Sequence, residues 1–284
     1  MYAGGLSGTG SLIKTGPGDL GLSGSSSYNG PTSVAAGWLS VKGSLGSTAV
    51  TVANTAELGG SGSLGGSVLV QNGGRVAPGN SIESLAVGAT TFEAGATFAH
   101  EVDSAAAIGV AADLLVVGGN LSIASGTLLE FTDLASQAAT PFPVGTVFAL
   151  VNYTGSWNEG LFTVGGEELA NNGSFLFNDT EWRIRYDSPT GGVNFTGDYQ
   201  DGSFVTITAG PSRRRSPCSP PPRRASPRSP AAARSRGFSN PRRARPRPPK
   251  PAAHTPPCSR RRPLPVLVPS AWYGAIRSTT YGGS

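Results

Sequence analysis

From Met1 to Asp103 no alternation of apolar and small polar residues lasts long before it breaks at Gly, Asn or Ser. The segments "DLGLSG", "WLSVKG", "TAVTVA", "SVLVQNGG" and "SLAVGA" each set apolar side chains two apart. That spacing is the period of a strand with one buried face. Strands this short, divided by Gly-rich corners at close intervals, suit a stack of coils better than a hairpin meander. In such a stack each coil pairs its backbone with the coils above and below. Apolar positions fill a continuous interior, and Ser, Thr and Asn turn corners or face water. Residues 1–209 hold 36 glycines, which suits corners that need positive φ. A flexible Gly/Ser linker would not carry the regular Leu/Val/Ile alternation.

The segment Gly8–Val41, "GTGSLIKTGPGDLGLSGSSSYNGPTSVAAGWLSV", closely resembles the autotransporter-associated β-strand repeat, also called the passenger-associated transport repeat. The matching positions are Gly8, Gly10, Leu12, Lys14, Gly16, Gly18, Leu20, Leu22, Gly24, Tyr28, Gly30, Thr32, Val34, Gly37 and Leu39. Gly66–Gly88, with its Ala77–Ser81 turn, looks like a second family element, and Ala112–Phe131 like the strand pair that usually follows. Asp19, Pro31 and Trp38 depart from the pattern. The resemblance implies an all-β fold, a right-handed parallel β-helix (β-solenoid), displayed outside a bacterial cell as part of a much longer chain. "YAGGLSG" (Tyr2–Gly8) looks like the end of a preceding repeat, so the chain is expected to begin inside its parent protein. No signal peptide is legible at Met1.

Three regions are expected. Residues 1–140 form the solenoid. Residues 141–209 gather most of the aromatics, including Phe142, Phe148, Trp157, Phe175, Trp182, Tyr186 and Phe204, and form a β-rich cap, in part a sandwich. An open solenoid end exposes strand edges and core, which a cap covers. The aromatics are read as cap core, with a sugar-binding platform of Trp157, Trp182 and Tyr186 as the sharper alternative. Residues 210–284 change language: 17 Lys/Arg, 17 prolines, both cysteines (Cys218 and Cys258) and no acidic residue. Residues 1–209 carry 17 acidic residues against five basic ones, about −12 in formal charge. The chain's net +5 therefore averages two unlike polymers.

Taken literally, residues 210–284 are a disordered Pro/Arg/Ser-rich tail that would bind polyanions electrostatically and without sequence specificity. A second account is an out-of-frame translation. Proteins of this repeat class often end in a PEP-CTERM sorting signal, a Val-Pro-Glu-Pro-Ser motif before a hydrophobic run and arginines. A GC-rich coding segment for Val-Pro-Glu-Pro-Ser-Ala, read one base out of register, gives Ser-Pro-Ser-Arg-Arg-Arg. Gly210-Pro211-Ser212-Arg213-Arg214-Arg215 agrees at five of those six positions.

Chemistry-bearing residues are sparse. His100 is the single histidine of residues 1–209, and nothing marks a nucleophile beside it. "HEVD" places His100 and Val102 on one strand face and Glu101 and Asp103 on the other. Those two carboxylates could serve as acid and base or hold a cation, but solvated carboxylates on an outer face are the plainer reading. "GSGSLG" (Gly60–Gly65) has dinucleotide-binding glycine spacing, yet a strand-like segment follows where a helix is required. No metal or cofactor site is expected. The function read from the sequence is therefore structural and non-catalytic: a fragment of an exported surface or matrix β-solenoid, serving as stalk or adhesin scaffold. Surface glycans or matrix polymers are its expected partners, with no specific nucleic acid. Membrane contact would come only through a sorting or translocator segment absent from the chain as written. The alternatives are a glycan-binding adhesin using the C-terminal aromatics and a carbohydrate-active β-helix enzyme. The enzyme would require Glu101, Asp103 and a basic residue in one groove.

Overall fold

The structure is a computed structural model and describes residues 1–107, 111–135, 142–195 and 202–212. Its described elements are all strands, and Met1–Arg214 form one compact unit. The chain winds through successive coils. Coil one is β1 (Leu12–Lys14), β2 (Asp19–Leu22) and β3 (Ser25–Ser26); coil two is β4 (Thr32–Val34), β5 (Gly37–Val41) and β6 (Ser44–Leu45). Coil three is β7 (Val50–Val52), β8 (Ala56–Gly60) and β9 (Ser63–Leu64). Coil four is β10 (Val68–Val70), β11 (Arg75–Pro78) and the first half of β12 (Ser84–Phe92). From there one strand closes a coil and opens the next. The second half of β12, then β13 (Thr97–Val102) and the first half of β14 (Leu114–Ile123), make coil five. The rest of β14, β15 (Thr127–Asp133) and β16 (Val147–Tyr153) make coil six.

The strand ladders between these coils are all parallel, with one register shift, in β12 between Gly88 and Thr90. One row runs Lys14–Val34–Val52–Val70–Phe92–Ile123. A second runs Leu20–Leu39–Leu58–Val76–Phe98–Leu129. Leu39, Leu58, Val52 and Val70 are fully buried. A Val or Leu so placed contributes about 1.5–3 kcal/mol of transfer free energy. The rows turn aromatic toward coil five, where Phe92, Phe98 and, from two coils further on, Phe162 pack with centroids 5.8–6.1 Å apart. This is the parallel β-solenoid expected from the apolar alternation. Corners between the first and second strands also stack: Thr55, Gly73, Gly95 and Gly126 are joined N–H to carbonyl along a column, and all have positive φ.

The stack ends by reversing direction. β16 pairs in parallel with β14 on one side and antiparallel with β21 (Ser203–Ser212) on the other. β17 (Phe162–Val164), the last parallel strand of the eight-stranded sheet, folds back as a hairpin with β18 (Glu167–Glu168). β19 (Ser174–Phe177) and β20 (Thr180–Ser188) complete the order β16-β21-β20-β19, all antiparallel. Within the region read as partly a sandwich, β21, β20 and β19 are thus an antiparallel extension of the solenoid's own thirteen-stranded sheet. β21 also runs through Gly210, Pro211 and Ser212, where Thr180 pairs with Ser212. The tail was expected to start at Gly210. A ladder is held by backbone groups and continues where side-chain alternation has stopped. The readings of residues 213–284 lie outside the described residues.

Candidate functional site

Outward-facing positions on the eight-stranded sheet form a row Asp19–Trp38–Glu57–Arg75–Thr97–Leu128. They face out because their neighbours Leu39, Leu58 and Val76 face in. Beside this row runs a second outward row of small residues, Gly21–Ser40–Gly59–Ala77, so the surface dips into a trough. Trp38 lies across Gly59: a Cβ added there would meet the indole Nε1 at 2.9 Å. That Nε1–H is buried without a hydrogen-bond partner.

The trough is closed by a loop from two coils further on. Gly60 and Gly79 exchange backbone hydrogen bonds of 2.8 and 3.2 Å, both at positive φ. The turn returns Asn80 over the sheet, where Ser40 Oγ donates to Asn80 Oδ1 at 3.3 Å. Ser40 is buried for this reason although its position faces outward. The result is a groove of about 460 Å³ lined by Met1, Asp19, Gly21, Trp38, Ser40, Lys42 and Asn80. Sequence reasoning missed it. Trp38 and Asp19 were visible as departures from the repeat, but nothing local connects them to Asn80.

The carboxylates of the "HEVD" segment sit differently. Asp103 Oδ1 accepts the N–H of Ala105 at 2.9 Å, inside its own turn. Burial raises the Glu101 carboxyl above its ordinary range, opposed by the Arg75 guanidinium. Arg75 itself bridges Glu57 at 3.4 Å and Glu130. Arg75 and Asp103 are thus each committed to local partners. His100 is buried between the rings of Phe98 and Phe131, at 6.0 and 5.7 Å, with neither ring nitrogen hydrogen-bonded. Burial pulls it down to about 3, so it is neutral at physiological pH. Near it Asp113 is buried, its two oxygens accepting the N–H groups of Glu83 (3.1 Å) and Glu101 (3.0 Å). Desolvation, reinforced by the Glu101 and Glu83 charges, outweighs those bonds and pushes it up to about 8. Among the described residues no group of His, Cys, Asp and Glu could hold a metal ion.

The C-terminal aromatics are core. Trp182 and Tyr186 are 1% and 0% exposed, so neither offers a ring face to a sugar, and the platform reading is corrected for both. Their burial follows from the place they fill: the end of the solenoid core, where Trp182 packs on Phe142 and Phe148. Tyr186 accepts the Phe162 N–H at 2.9 Å and donates to Leu169 O at 3.0 Å. Burial pushes its phenol up to about 12. Trp157 is half-buried and stacked on Tyr186 at 5.1 Å, its Nε1 donating to Gly160 O at 2.8 Å.

The repeat positions divide by role. Leu22, Val34 and Leu39 are buried core, with Leu12 and Leu20 packed against it. Tyr28, Thr32 and Thr48 carry a buried polar relay. Thr48 Oγ1 donates to Gly30 O at 2.7 Å, Thr32 Oγ1 lies 2.9 Å from Thr48 Oγ1, and the Tyr28 hydroxyl lies 2.5 Å from Thr32. Gly24, Gly30 and Gly37 stand where a Cβ would come within 2.3–2.5 Å of a carbonyl oxygen of the preceding coil. Lys14 Nζ donates to three backbone carbonyls. Gly8, Gly10, Gly16 and Gly18 have open space around them, with Gly8 and Gly16 at positive φ.

The sequence is similar to known proteins over parts of its length. The passenger-associated-transport-repeat family matches residues 12–41. The adhesin BmaC autotransporter of Brucella suis biovar 1 (strain 1330) is 37% identical over 168 residues, 56% of this chain and 5% of that protein. An extracellular serine protease of Serratia marcescens is 43% identical over 82 residues, 29% of this chain and 8% of that protein. The chain therefore spans a small fraction of the length of these relatives. On the repeat match, the relatives and the stacked parallel coils, this chain carries an autotransporter-associated (passenger-associated-transport) repeat at residues 12–41.

Proposed function

We propose that this chain is a structural, non-catalytic segment of an exported bacterial passenger, a stalk or adhesin scaffold at the cell surface or in its matrix. The continuous parallel pairing of successive coils from Lys14 to Ile123 carries the reading. Each coil covers the edge of the last and buries its apolar row against it, which makes a rod that resists local opening. The likeness to an adhesin supports a role in attachment. The test is twofold. Proteinase K digestion of the full chain should leave a resistant core that contains the strands from β1 to β21, and beads coated with the chain should adhere to host matrix or bacterial cells. Rapid digestion throughout residues 1–212, or uncoated beads adhering as well, would overturn it.

A second reading rests on the serine protease relative. Labelling by a fluorophosphonate probe, abolished by heat denaturation, would favour it over the scaffold. The scaffold reading expects no labelling.

A further inference from the structure

We infer that the groove beneath Asn80 is a saccharide site, taking a neutral oligosaccharide of pyranose rings with equatorial hydroxyls. This deepens the scaffold reading and rests on it only for the biological setting. Three observations point to that chemistry. First, the groove of about 460 Å³ falls in the ~300–1,000 Å³ range of small-ligand sites. Second, its wall is an indole seated on Gly59, which has no side chain to lift it from the sheet. A pyranose with equatorial hydroxyls presents axial C–H bonds as an apolar face, and an aromatic ring face is the matching surface. Third, apart from Met1 and Gly21, the rest of the lining is polar and mixed. Ser40 hydroxyl, Asn80 amide, Asp19 carboxylate and Lys42 ammonium offer both donors and acceptors. The side-chain charges of the lining are one anion, Asp19, and one cation, Lys42, which disfavours a strongly charged polymer.

The site is also built rather than incidental. Asn80 is held by its backbone N–H to Glu83 Oε2 at 3.2 Å and by Ser40 Oγ at 3.3 Å. Its loop depends on Gly79, where a Cβ would lie 2.0 Å from Ser81 O. Two coils and a long-range loop are needed to assemble these groups. A single strand displays only every second residue on a face and could not surround a ring.

The experiment is saturation-transfer NMR on the full chain with cellotriose as probe. Transfer to the axial ring protons of cellotriose is expected, with at least about tenfold weaker binding in Trp38→Ala and in Asn80→Ala. Trp157→Phe should bind as the parent does. Because Trp38→Ala removes packing over Gly59, a thermal melt accompanies it. If that variant does not fold, Asn80→Ala and Lys42→Ala decide. No transfer to cellotriose overturns the proposal, as does transfer that survives these substitutions. Preferential binding of a hyaluronan tetrasaccharide overturns the neutral-sugar assignment. Bead adhesion that is unchanged in Trp38→Ala sinks this site and leaves the scaffold reading standing. Cellotriose binding without adhesion does the reverse.

Discussion

Lys14 Nζ stands 2.8 Å from the carbonyl oxygen of Ala36, tying a corner of the first coil to the corner stacked on it. The same ammonium donates to Gly16 O at 2.8 Å and Thr15 O at 3.1 Å. A buried lysine is tolerated here because all three of its donors meet carbonyls that the corner leaves without strand partners. Lys14→Met keeps the apolar stem and removes the donors. It should cost ~1–3 kcal/mol, the usual penalty for stranding buried acceptors, read as a lower urea midpoint. Gly37→Ala should cost more. It adds a Cβ 2.5 Å from both Gly16 O and Gly18 O at a φ of 69°, and the backbone strain alone is about 1–3 kcal/mol. The reverse order of severity would contradict this account of the corner.

Thr55 holds a φ of 64° in a corner column that continues through Gly73, Gly95 and Gly126. A β-branched residue in that region is strained by ~1–3 kcal/mol, whereas glycine's extra unfolded-state entropy costs only about 0.5–1 kcal/mol. Thr55 is exposed, so little packing is lost. Thr55→Gly is expected to stabilise the chain by about 1 kcal/mol, seen as a raised denaturation midpoint.

His100 should make the solenoid acid-sensitive. Its ordinary value is 6.5 and burial depresses it to about 3. Between those values the unfolded chain binds a proton that the folded chain refuses. Stability is therefore full above pH 6.5 and falls as pH drops toward 3, with a slope on the order of 1.4 kcal/mol per pH unit at most. His100→Leu should flatten that limb in a series of urea melts, and an unchanged slope would assign the acid sensitivity elsewhere.

Asp113 works in the opposite direction. Its carboxyl rises from 3.8 to about 8 on folding, so the folded chain holds a proton that the unfolded chain has released. Its contribution is complete below pH 3.8 and is lost as pH rises through 8. Asp113→Asn has no proton to lose. The difference in stability between variant and parent should shift in the variant's favour from pH 5 to pH 9. A difference that does not vary with pH would rule out the buried neutral carboxyl.

Tyr186 locks the cap onto the last parallel strand. Tyr186→Phe removes the acceptor for the Phe162 N–H and the donor to Leu169 O, at a cost of ~1–3 kcal/mol. Hydrogen exchange at the Phe162 amide should accelerate well ahead of exchange at Leu58 and Val76, deep in the stack.

Much of the fold was legible before the structure. Leu20–Leu22, Leu39–Val41 and Val50–Val52 declare their strands because a half-buried strand repeats every two residues. Gly16, Gly37 and Gly73 mark corners because few other residues tolerate that backbone. The repeat positions could be named for the same reason: their demands are local. The candidate site was not legible. Trp38 and Asp19 could be seen to break the pattern, but no local rule brings Asn80 to Ser40 across two coils.

Composition also spoke only in part about the cap. It marked Trp182 and Tyr186 as aromatic, and left open whether their rings met core or solvent. The antiparallel return of β20 and β21 decided that, by placing both rings over the open end of the apolar rows. The same return carried the last strand through Ser212, beyond the last residue of the alternating pattern. Residue type and local period are properties of a segment, and so belong to the sequence. Which strand edges meet, which ring is covered and which polar groups converge depend on register between segments distant in the chain. Only stacking of the whole solenoid sets that register, because a strand's pairing groups are alike along its length and the buried rows must align together.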